Sequence, residues 1–500
     1  MTAVGDRVVA APSPARGATW TSLVTAVNDH DRTTVVSGRS AWTGRELLAH
    51  AGGAVEWLER QGIPPGPVPA LVSFSAQAVA LTLGGSGCGR PIAPLGVRMT
   101  ASELAAVVTP LACPVLVCEP EYRMLAEQVA ARTGHRIAVL DGLAPGDRNL
   151  SASPDDVAIV LHTSGTTGVP KPVPMVQWRL AERVRVHAAL SGLAPDAFYA
   201  GSAPYHHIAG LGNIAVALGA GARITGLARF DVAGWCRLRE LAVTHTNVVP
   251  AMLEIVLAAG EGAMPSLRTL VYGGAPIHPS TLRRVYEQLP RVRLLNFFGQ
   301  TEGSPLAALL PADHDVAVAD RPDLLLSVGR AVPGVELVVR DPDPDGVGVV
   351  LARADHLFRC DDEGWLHTGD LGRLDADGYL YLSGRQGDMI IRGGENVHPL
   401  EVERVVAEHP AVAEVAVVGV PDPRLGETVV AFVVPADPQA GLDVEQLHAY
   451  TRTRLSGFKV PARWHRVAEL PRNPTGKVVR RRLSEPGLSE PLIGEPQVRM

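Results

Sequence analysis

The sequence predicts an α/β protein with a large N-terminal domain of mainly parallel sheets, a β-rich subdomain, and a small α+β C-terminal domain. Three observations support this prediction. Strand-like apolar runs alternate with helical patterns in the first half, short strands and turns follow residue 310, and the region after Asp388 has its own helices and strands. A chain of 500 residues is also longer than one ordinary domain.

The first half supplies the parallel sheet. Strands are predicted at 68–74, 113–118, 136–140 and 156–163, and helices at 44–62 and 102–108. Strands that alternate with helices usually pair in parallel, because each helix carries the chain back across the sheet. We therefore expect the N-terminal domain to be built on such a sheet.

The β-rich subdomain and the C-terminal domain follow. Residues 330–350 contain short apolar runs separated by Pro, Asp and Gly, and 375–385 form another turn and strand. Beyond them, helices are predicted at 399–409 and 444–456, and strands at 412–420 and 427–435. We place the domains at 1–386 and 387–500, with the boundary in the Gly-rich, charged run at 386–388.

Composition excludes several classes of protein. The net charge is −6 and no basic stripe is present, so nucleic acid is not an expected partner. The N-terminus lacks the apolar region of a signal peptide, and no apolar run is long enough to span a membrane. Five cysteines without a C-x-x-C pattern indicate reduced thiols. We predict a cytoplasmic protein.

Lysine usage is a sharper signal. Of 46 basic residues, the lysines are only Lys171, Lys459 and Lys477. Lysine presents a compact charge on a flexible stem, which the planar guanidinium of arginine does not reproduce. A chain that otherwise uses arginine is therefore expected to keep its lysines for specific roles.

The first of these lysines closes a Gly/Thr-rich loop after the strand at 156–163. The loop consists of Thr163, Ser164, Gly165, Thr166, Thr167, Gly168, Val169, Pro170 and Lys171. Backbone N–H groups and hydroxyls in such a loop bind phosphate oxygens, and glycine lets the backbone approach closely. It is not a Walker A loop, which requires Gly directly before Lys. The pattern predicts a phosphate-binding loop.

This loop, TSGTTGVPK, resembles the phosphate loop of the adenylate-forming superfamily, which includes acyl- and aryl-CoA synthetases, luciferases and the adenylation domains of peptide synthetases. Further motifs follow in the family's order at 272–276, 296–302, 364–370, 384–403 and 473–477. The pattern is most similar to that of stand-alone acyl- or aryl-CoA synthetases.

The resemblance implies a binding site for ATP and Mg²⁺. Adenine would lie between the ring of Phe298 and the segment Gly274, Ala275 and Pro276, where stacking needs only an aromatic face. Asp370 would accept hydrogen bonds from the ribose hydroxyls, supported by Arg385. Thr301 would donate to the α-phosphate, and Glu302 would bind Mg²⁺, which prefers oxygen ligands.

The resemblance also implies catalytic and moving parts. Lys477 would bridge the attacking carboxylate and the α-phosphate, neutralising charge that builds in the transition state. Gly387 and Asp388 would form the hinge on which the C-terminal domain turns between the two half-reactions. His207 would lie between the carboxylate pocket and the thiol tunnel.

The acid is predicted to lack an ammonium group. Amino-acid-activating members place an Asp near His207, whereas this chain has no acidic residue from 201 to 230. A buried ammonium would then have no partner. Val248, Val249, Pro250 and Met252 are candidates for an apolar pocket wall, and core packing explains them equally well.

The thiol is less well defined. The chain departs from the family pattern at Pro172 and Gly387, and also at Val460 and Ala462, where CoA-using members often have basic residues. Lys459 lies just ahead of them, and it either meets a CoA phosphate or packs at the surface.

We predict that MgATP and a carboxylic acid give acyl-AMP and pyrophosphate, and that the acyl group then passes to CoA. Two alternatives remain: transfer to the phosphopantetheine arm of a carrier protein, or an adenylation-only or non-catalytic protein. A hydride-transferring enzyme would need G-x-G-x-x-G after a strand, and the sequence has none in that context.

Overall fold

The structure of the protein is a computed structural model that describes residues 17–38, 40–163, 170–275, 277, 279–439, 441–472, 477–484 and 490–491. The described chain forms two compact units. The first contains the described residues up to Glu336 together with Arg353–Leu366, and the second contains Leu337–Ala352 and the described residues from His367 onward. Each unit is interrupted in sequence by a segment of the other.

Several helices of the first unit begin at side chains that satisfy their free backbone N–H groups. Thr43 and Thr100 each accept from the backbone N–H three residues ahead, and Glu46 and Glu103 accept from the backbone N–H groups of these threonines. The α-helices are α1 (Trp20–Asn28), α2 (Gly44–Arg60), α3 (Ala76–Ser86), α4 (Ala101–Val108), α5 (Arg123–Thr133), α6 (Gln177–Ser191), α7 (Asn213–Gly219), α8 (Val232–Glu240), α9 (Pro250–Ala258), α10 (Pro279–Gln288) and α11 (Pro311–Ala319). Short 3-10 helices lie at Pro120–Tyr122 and Pro322–Leu326, and a π-helix at Ile208–Gly212.

The strands of the first unit form two sheets. They are β1 (Thr33–Ser37), β2 (Ser40–Thr43), β3 (Val68–Leu71), β4 (Ile92–Pro94), β5 (Val115–Cys118), β6 (Arg136–Val139), β7 (Val157–Thr163), β8 (Lys171–Val176), β9 (Phe198–Gly201), β10 (Arg223–Gly226), β11 (His245–Val248), β12 (Thr269–Gly273), β13 (Arg293–Gln300), β14 (Gly303–Leu309) and β15 (Arg330–Ala331). One sheet has the order β15-β14-β13-β12-β11-β9-β10-β1-β2, and the other β6-β5-β3-β4-β7-β8.

The interior pairs of both sheets are parallel, and antiparallel strands occur at the edges. Strand β8 is antiparallel to β7, β2 to β1, and β14 to both β13 and β15. Strands such as β3 and β5 are buried along their whole length, as expected where helices cover both faces of a parallel sheet. The predicted fold class and the predicted strands and helices of the first half are confirmed.

The second unit is richer in strands. Its elements, in chain order, are β16 (Glu336–Arg340), β17 (Gly348–Arg353), β18 (Leu366–Leu374), β19 (Leu380–Arg385), β20 (Ile390–Arg392), β21 (Glu395–Val397), α12 (Pro399–Ala407), β22 (Val412–Asp422), β23 (Gly426–Pro435), α13 (Val444–Arg452), β24 (Arg463–Arg466) and β25 (Glu490–Pro491). Short 3-10 helices lie at Gln386–Asp388 and Arg480–Ser484.

These strands also form two sheets. Strands β16-β17-β18-β19 pair in that order, which confirms the β-rich segment expected after residue 310. The other sheet has the order β21-β20-β23-β24-β25, with β22 paired antiparallel to β23. Val402, Val417, Val429 and Trp464 are buried between this sheet and the helices α12 and α13.

The predicted boundary at 386–388 falls inside the second unit, because the sheet β16-β17-β18-β19 belongs there by its contacts. The two units are defined by contacts alone, and the domain limits at 386 and 387 therefore stay a prediction. Among the described helices, none combines the length and the apolar character needed to cross a membrane.

Candidate functional site

The predicted phosphate loop joins two antiparallel strands. Thr163 ends β7 and lies opposite Lys171, which begins β8. Ser164, Gly165, Thr166, Thr167 and Gly168 lie outside the described residues. The loop leaves β7 at its carboxyl end, and β7 pairs in parallel with β4. Ligands of open α/β sheets bind at this edge, so the fold presents the loop where a phosphate site is expected.

Strand β8 explains how proline fits beside the loop. Pro172 pairs with His162 and Pro174 with Val160, and β8 lies at the edge of its sheet. Proline lacks an N–H donor and is therefore tolerated in edge strands. The departure at Pro172 from the family pattern is compatible with this position.

The segment predicted to flank adenine follows β12, which pairs in parallel with β13 in the other sheet of the first unit. Gly273 ends β12 opposite Phe297, and a Cβ atom on Gly273 would lie 2.3 Å from the Phe297 carbonyl oxygen. Gly274 has φ of +78°, a conformation that favours glycine. Phe298, on β13, is 8% exposed. Pro276 lies outside the described residues, whereas Ala275 is partly exposed.

Thr301 and Glu302 form the two-residue turn between β13 and β14. Gln300 pairs with Gly303 across this turn, and the N–H of Phe358 donates to the Glu302 carbonyl oxygen at 2.7 Å. A Cβ atom on Gly299 would lie 2.7 Å from the Gly303 carbonyl oxygen, so glycine permits the close approach. Both Thr301 and Glu302 are partly exposed. The turn therefore offers a hydroxyl and a carboxylate side by side.

His207 lies in a tight turn before the π-helix Ile208–Gly212. Its N–H donates to the Pro204 carbonyl oxygen at 3.0 Å, and its ring centroid lies 4.0 Å from that of His206. Among the described residues, Nε2 of His207 is buried and has no hydrogen-bond partner. Burial lowers the pKa of His207 to about 4, so the imidazole is neutral at neutral pH.

The predicted apolar wall lies next to the adenine segment. Val248 ends β11, Val249 precedes α9, and Val248 and Met252 are buried. A Cβ atom on Gly274 would lie 3.8 Å from Cγ1 of Val249. The first unit thus places Val249 next to the segment proposed for the nucleotide, and the burial of Val248 and Met252 agrees with core packing as well as with a pocket wall.

The second unit contains the predicted ribose residues as a paired set. Asp370 on β18 lies opposite Arg385 at the end of β19, and Arg385 Nε lies 2.8 Å from Asp370 Oδ1. Arg385 also donates to the Thr368 carbonyl oxygen at 2.8 Å. Burial raises the pKa of Asp370, while the nearby charges of Arg385 and Lys477 act in the opposite direction.

Lys477 belongs to the same group. Burial lowers the pKa of Lys477, as does Arg385, whereas Asp370 and Asp388 raise it. Asn473, Pro474, Thr475 and Gly476 lie outside the described residues, but Arg472 and Val478 pair across this stretch. The second unit therefore gathers Lys477, Asp370, Arg385 and Asp388 within electrostatic range of one another.

The predicted hinge lies in the 3-10 helix Gln386–Asp388. Gly387 is exposed, and a Cβ atom there would meet nothing within 4 Å. Its φ is not positive here, so this conformation does not itself require glycine. Asp388 lies 3.7 Å from Arg480, which also binds Glu403 at 2.6 Å. The hinge role concerns a second conformation and stays a prediction.

Among the described residues, Lys459 forms an ion pair with Glu401, whereas the sequence analysis considered a CoA phosphate as its partner. Its Nζ lies 2.8 and 2.9 Å from the two carboxylate oxygens of Glu401. This pairing agrees with the structural alternative for Lys459 and leaves no separate sign of a phosphate site there.

Sequence profiles of known families match most of the chain. A profile described as AMP-binding enzyme matches residues 24–360, and one described as AMP-binding enzyme C-terminal domain matches residues 401–477. The chain belongs to the AMP-binding enzyme family. The family predicted from the motifs is confirmed.

Individual AMP-binding enzymes resemble it over nearly their whole length. A fatty acid–acyl-carrier-protein ligase from Streptomyces coeruleorubidus is 33% identical over 474 residues, which is 88% of this chain and 89% of the relative. A feruloyl-CoA synthase from an Amycolatopsis species is 32% identical over 471 residues, with coverage of 90% and 94%. ATP-bound MatB from Rhodopseudomonas palustris has a TM-score of 0.82 at 27% identity, and the match covers 93% of this chain and 98% of MatB.

These relatives confirm the function class predicted from the sequence, an AMP-forming ligase that activates a carboxylic acid with ATP for transfer to a thiol. The roles of individual site residues, the use of Mg²⁺ and the cytoplasmic location stay predictions.

Sequence reasoning did not single out His162 or Arg480 of this AMP-binding enzyme. His162 directly precedes the phosphate loop, and burial lowers its pKa to about 4. Arg480 is one of three consecutive arginines, a pattern typical of a solvated patch, yet it binds Glu403 and lies near Asp388. The position of His162 next to the loop could have identified it from the sequence. The contacts of Arg480 could not have been found in this way, because Asp388 and Glu403 are distant in sequence.

Proposed function

We propose that this chain joins a carboxylic acid lacking an ammonium group to CoA, through an acyl-adenylate made from ATP. The observation that carries the proposal is the grouping of Lys477 with the Asp370 and Arg385 pair in the second unit. A lysine in a chain with only two others, beside the carboxylate proposed for the ribose, fits a catalytic cation for adenylate formation.

The first half-reaction joins two anions. A carboxylate oxygen of the acid attacks the α-phosphorus, a new O–P bond forms, and the bond to the bridging oxygen breaks so that pyrophosphate leaves with its electron pair. Lys477 neutralises negative charge that builds between the two reactants. Thr301 donates its hydroxyl to the α-phosphate.

Glu302 is the proposed ligand of Mg²⁺. Its carboxylate stands in a two-residue turn with the Thr301 hydroxyl beside it, and both side chains are partly exposed. Hard cations prefer such oxygen ligands. The ion would supply positive charge to the departing pyrophosphate.

In the second half-reaction the CoA sulfur attacks the acyl carbon, the thioester forms, and AMP leaves with the carboxyl oxygen. The thiol proton is released as the sulfur attacks. His207 is the proposed group between the acid and the thiol, and its neutral imidazole can accept or donate a hydrogen bond there. The C-terminal domain is proposed to turn about Gly387 between the two steps.

The apolar wall supports an acid with a hydrophobic body. Val248 and Met252 are buried, and Val249 lies beside Gly274. Residues 201–230 contain no carboxylate that would pair with an ammonium group. The relatives' names specify a fatty acid and a feruloyl group, which agree with this class.

A carrier protein is the second candidate for the acceptor. Two observations favour it. The relative with 33% identity is a ligase for an acyl-carrier protein. In this chain, Lys459 forms an ion pair with Glu401 and does not lie in a basic segment. In both cases the nucleophile is the thiol of a phosphopantetheine arm, so the chemistry of the site is the same.

Pyrophosphate exchange across a panel of fatty, aromatic and amino acids tests the first step. We expect exchange that depends on acids without an ammonium group. A free amino acid as the best substrate would contradict the proposed pocket. The best acid is then offered with CoA or with a phosphopantetheinylated carrier protein, and thioester is measured. Acyl-AMP that accumulates with neither thiol accepting would show an adenylation-only protein.

A further inference from the structure

Helix α6 contains a fully buried arginine, Arg183. Among the described residues, its hydrogen-bond partners include no carboxylate. Arg183 is 0% exposed, and its Nε donates to the Ser304 carbonyl oxygen at 2.8 Å. One terminal nitrogen donates to the Gly212 carbonyl oxygen, and the other to Oδ1 of Asn213 at 2.5 Å. The guanidinium thus binds three neutral oxygen atoms.

The three acceptors belong to segments that carry predicted site residues. Ser304 follows the turn that contains Thr301 and Glu302. Gly212 ends the π-helix that begins directly after His207, and Asn213 begins α7. One side chain therefore connects the turn proposed for Mg²⁺ and the α-phosphate with the turn proposed for the acid and the thiol.

The connection continues to the apolar wall through buried polar side chains. The Tyr199 hydroxyl donates to Oδ1 of Asn247, and the nearby Asn213 side chain acts to lower the pKa of Tyr199 against the larger effect of burial, which raises it. Asn247 directly precedes Val248 on β11, and its carbonyl oxygen accepts from the Ser202 hydroxyl. Arg183, Tyr199, Asn213 and Asn247 are all buried.

Stability alone does not explain a buried arginine with this set of partners, because burying its charge is unfavourable for the free energy of folding. A buried charge without an opposite charge loses its hydration, and apolar side chains of similar volume often replace buried ionic groups without loss. A fully hydrogen-bonded buried network does, however, hold its members in one arrangement. The planar guanidinium donates in several directions at fixed angles, which suits it to fix three segments at once.

We propose that Arg183 is a positioning residue that holds the His207 turn, the Thr301 and Glu302 turn and the apolar wall in register, and thereby sets both the rate of adenylation and the choice of acid. This inference rests on the proposed function, because it assumes that those turns receive the acid and ATP. Arg183 itself acts through the segments it binds rather than on the reacting atoms.

The test compares Arg183→Gln and Arg183→Lys with the matched control Arg90→Gln. Arg90 also donates to two backbone carbonyl oxygens, those of Ile63 and Cys88, but it precedes the amino end of β4, away from the site residues. For each protein we would measure kcat, KM for ATP, KM for the acid and the ratio of kcat/KM between a long and a short acid, together with the thermal midpoint.

Arg183→Gln is expected to lower kcat for pyrophosphate exchange about 10- to 100-fold, since small misplacements of reacting groups have effects of this order, and to change the ratio between acids. Arg183→Lys is expected to recover only part of this loss, because an ammonium group cannot span the three acceptors in the same geometry. Arg90→Gln should lower the thermal midpoint and leave kcat and the ratio unchanged.

Tyr199→Phe provides a milder variant, because it removes only the hydroxyl between Asn213 and Asn247. We expect a changed ratio between acids with a thermal midpoint near that of the wild type. Arg183 and Tyr199 variants that differ from wild type only in thermal midpoint, as Arg90→Gln does, would overturn the role of Arg183 while leaving the proposed function intact. A wild-type protein without acid-dependent exchange would overturn the proposed function and this inference with it.

Discussion

The three lysines of this chain occupy three different environments. Lys171 begins the edge strand β8 and is exposed, Lys459 is held by both carboxylate oxygens of Glu401, and Lys477 is grouped with Asp370 and Arg385. Lys171 closes the loop proposed for the phosphates, and Lys477 stands beside the residues proposed for the ribose. The unusual lysine composition therefore separates into a loop cation, a structural ion pair and a candidate catalyst.

Replacing Lys477 with alanine tests the candidate catalyst. Because the ammonium group acts on charge that develops in the transition state, Lys477→Ala should slow pyrophosphate exchange by about 100-fold or more, with KM for ATP little changed. Lys459→Ala is the matched control, since it removes a lysine of the same unit that is paired with Glu401, and its exchange rate should stay near that of the wild type.

The outcome that contradicts this role is retention of more than about a tenth of the wild-type exchange rate by Lys477→Ala. Thioester formation from supplied acyl-AMP distinguishes the two half-reactions. If this transfer survives in Lys477→Ala, the lysine acts in adenylate formation only, as proposed.

At the scale of elements, the site depends on short turns at strand ends. The phosphate loop connects β7 to β8, the adenine segment follows β12, and the turn at Thr301 and Glu302 connects β13 to β14. Strands hold the ends of these segments in register by backbone hydrogen bonds, while the turns leave side chains partly exposed. The 3-10 helix that contains Gly387 differs, because it is proposed to move.

Gly387→Pro tests the proposed hinge. Proline restricts φ to near −65° and therefore should favour one orientation of the C-terminal domain. We expect pyrophosphate exchange and thioester formation to be affected very unequally, with thioester formation losing more. Both rates are measured on one preparation, with circular dichroism to verify folding.

The control for the hinge is Gly142→Pro. Gly142 is also an exposed glycine without a positive φ, and a Cβ atom there would meet nothing within 4 Å, but it lies in a loop of the first unit. Both half-reactions should keep their wild-type ratio in this variant. Equal losses of the two rates in Gly387→Pro, or no loss in either, would show that Gly387 is not the hinge.

At the scale of the whole molecule, buried neutral histidines make the fold sensitive to acid. Burial is the largest cause that lowers the pKa of these residues: His162, His187, His206, His207, His245, His314 and His356. The unfolded chain binds protons near pH 6.5, whereas the folded chain resists them to lower pH. The free energy of unfolding should therefore fall as the pH drops below 6.5.

His356 allows this to be measured at one position. It is buried, its Nε2 bonds to the Pro305 carbonyl oxygen at 2.8 Å, and its pKa is lowered to about 4. Between pH 7 and pH 5, this one residue should reduce the free energy of unfolding by about 2 kcal/mol. His356→Gln removes the titration and keeps a donor, so its loss over this interval should be smaller by that amount.

Urea unfolding of the wild type and of His356→Gln at pH 7 and pH 5 provides the measurement. An identical loss in His356→Gln and in the wild type would mean that His356 does not contribute to the acid sensitivity.

Local patterns in the sequence were enough to establish the fold class, most strands and helices, and the family. These depend on properties of neighbouring residues: the alternation of apolar residues along a strand or helix, the Gly/Thr loop after a buried strand, and the order of motifs along the chain. The residues proposed for ribose and catalysis, Asp370, Arg385 and Lys477, were found in the same way, and the structure brings these three together.

Only the three-dimensional structure showed which segments distant in sequence contact one another. It placed the proline-containing β8 at a sheet edge, grouped β16-β17-β18-β19 with the C-terminal residues, and paired Lys459 with Glu401. It also buried Arg183 among the oxygens of Ser304, Gly212 and Asn213. Nothing near Arg183 in sequence distinguishes it from the other arginines of α6, because the free energy of a buried charge depends on its three-dimensional neighbours rather than on its position along the chain.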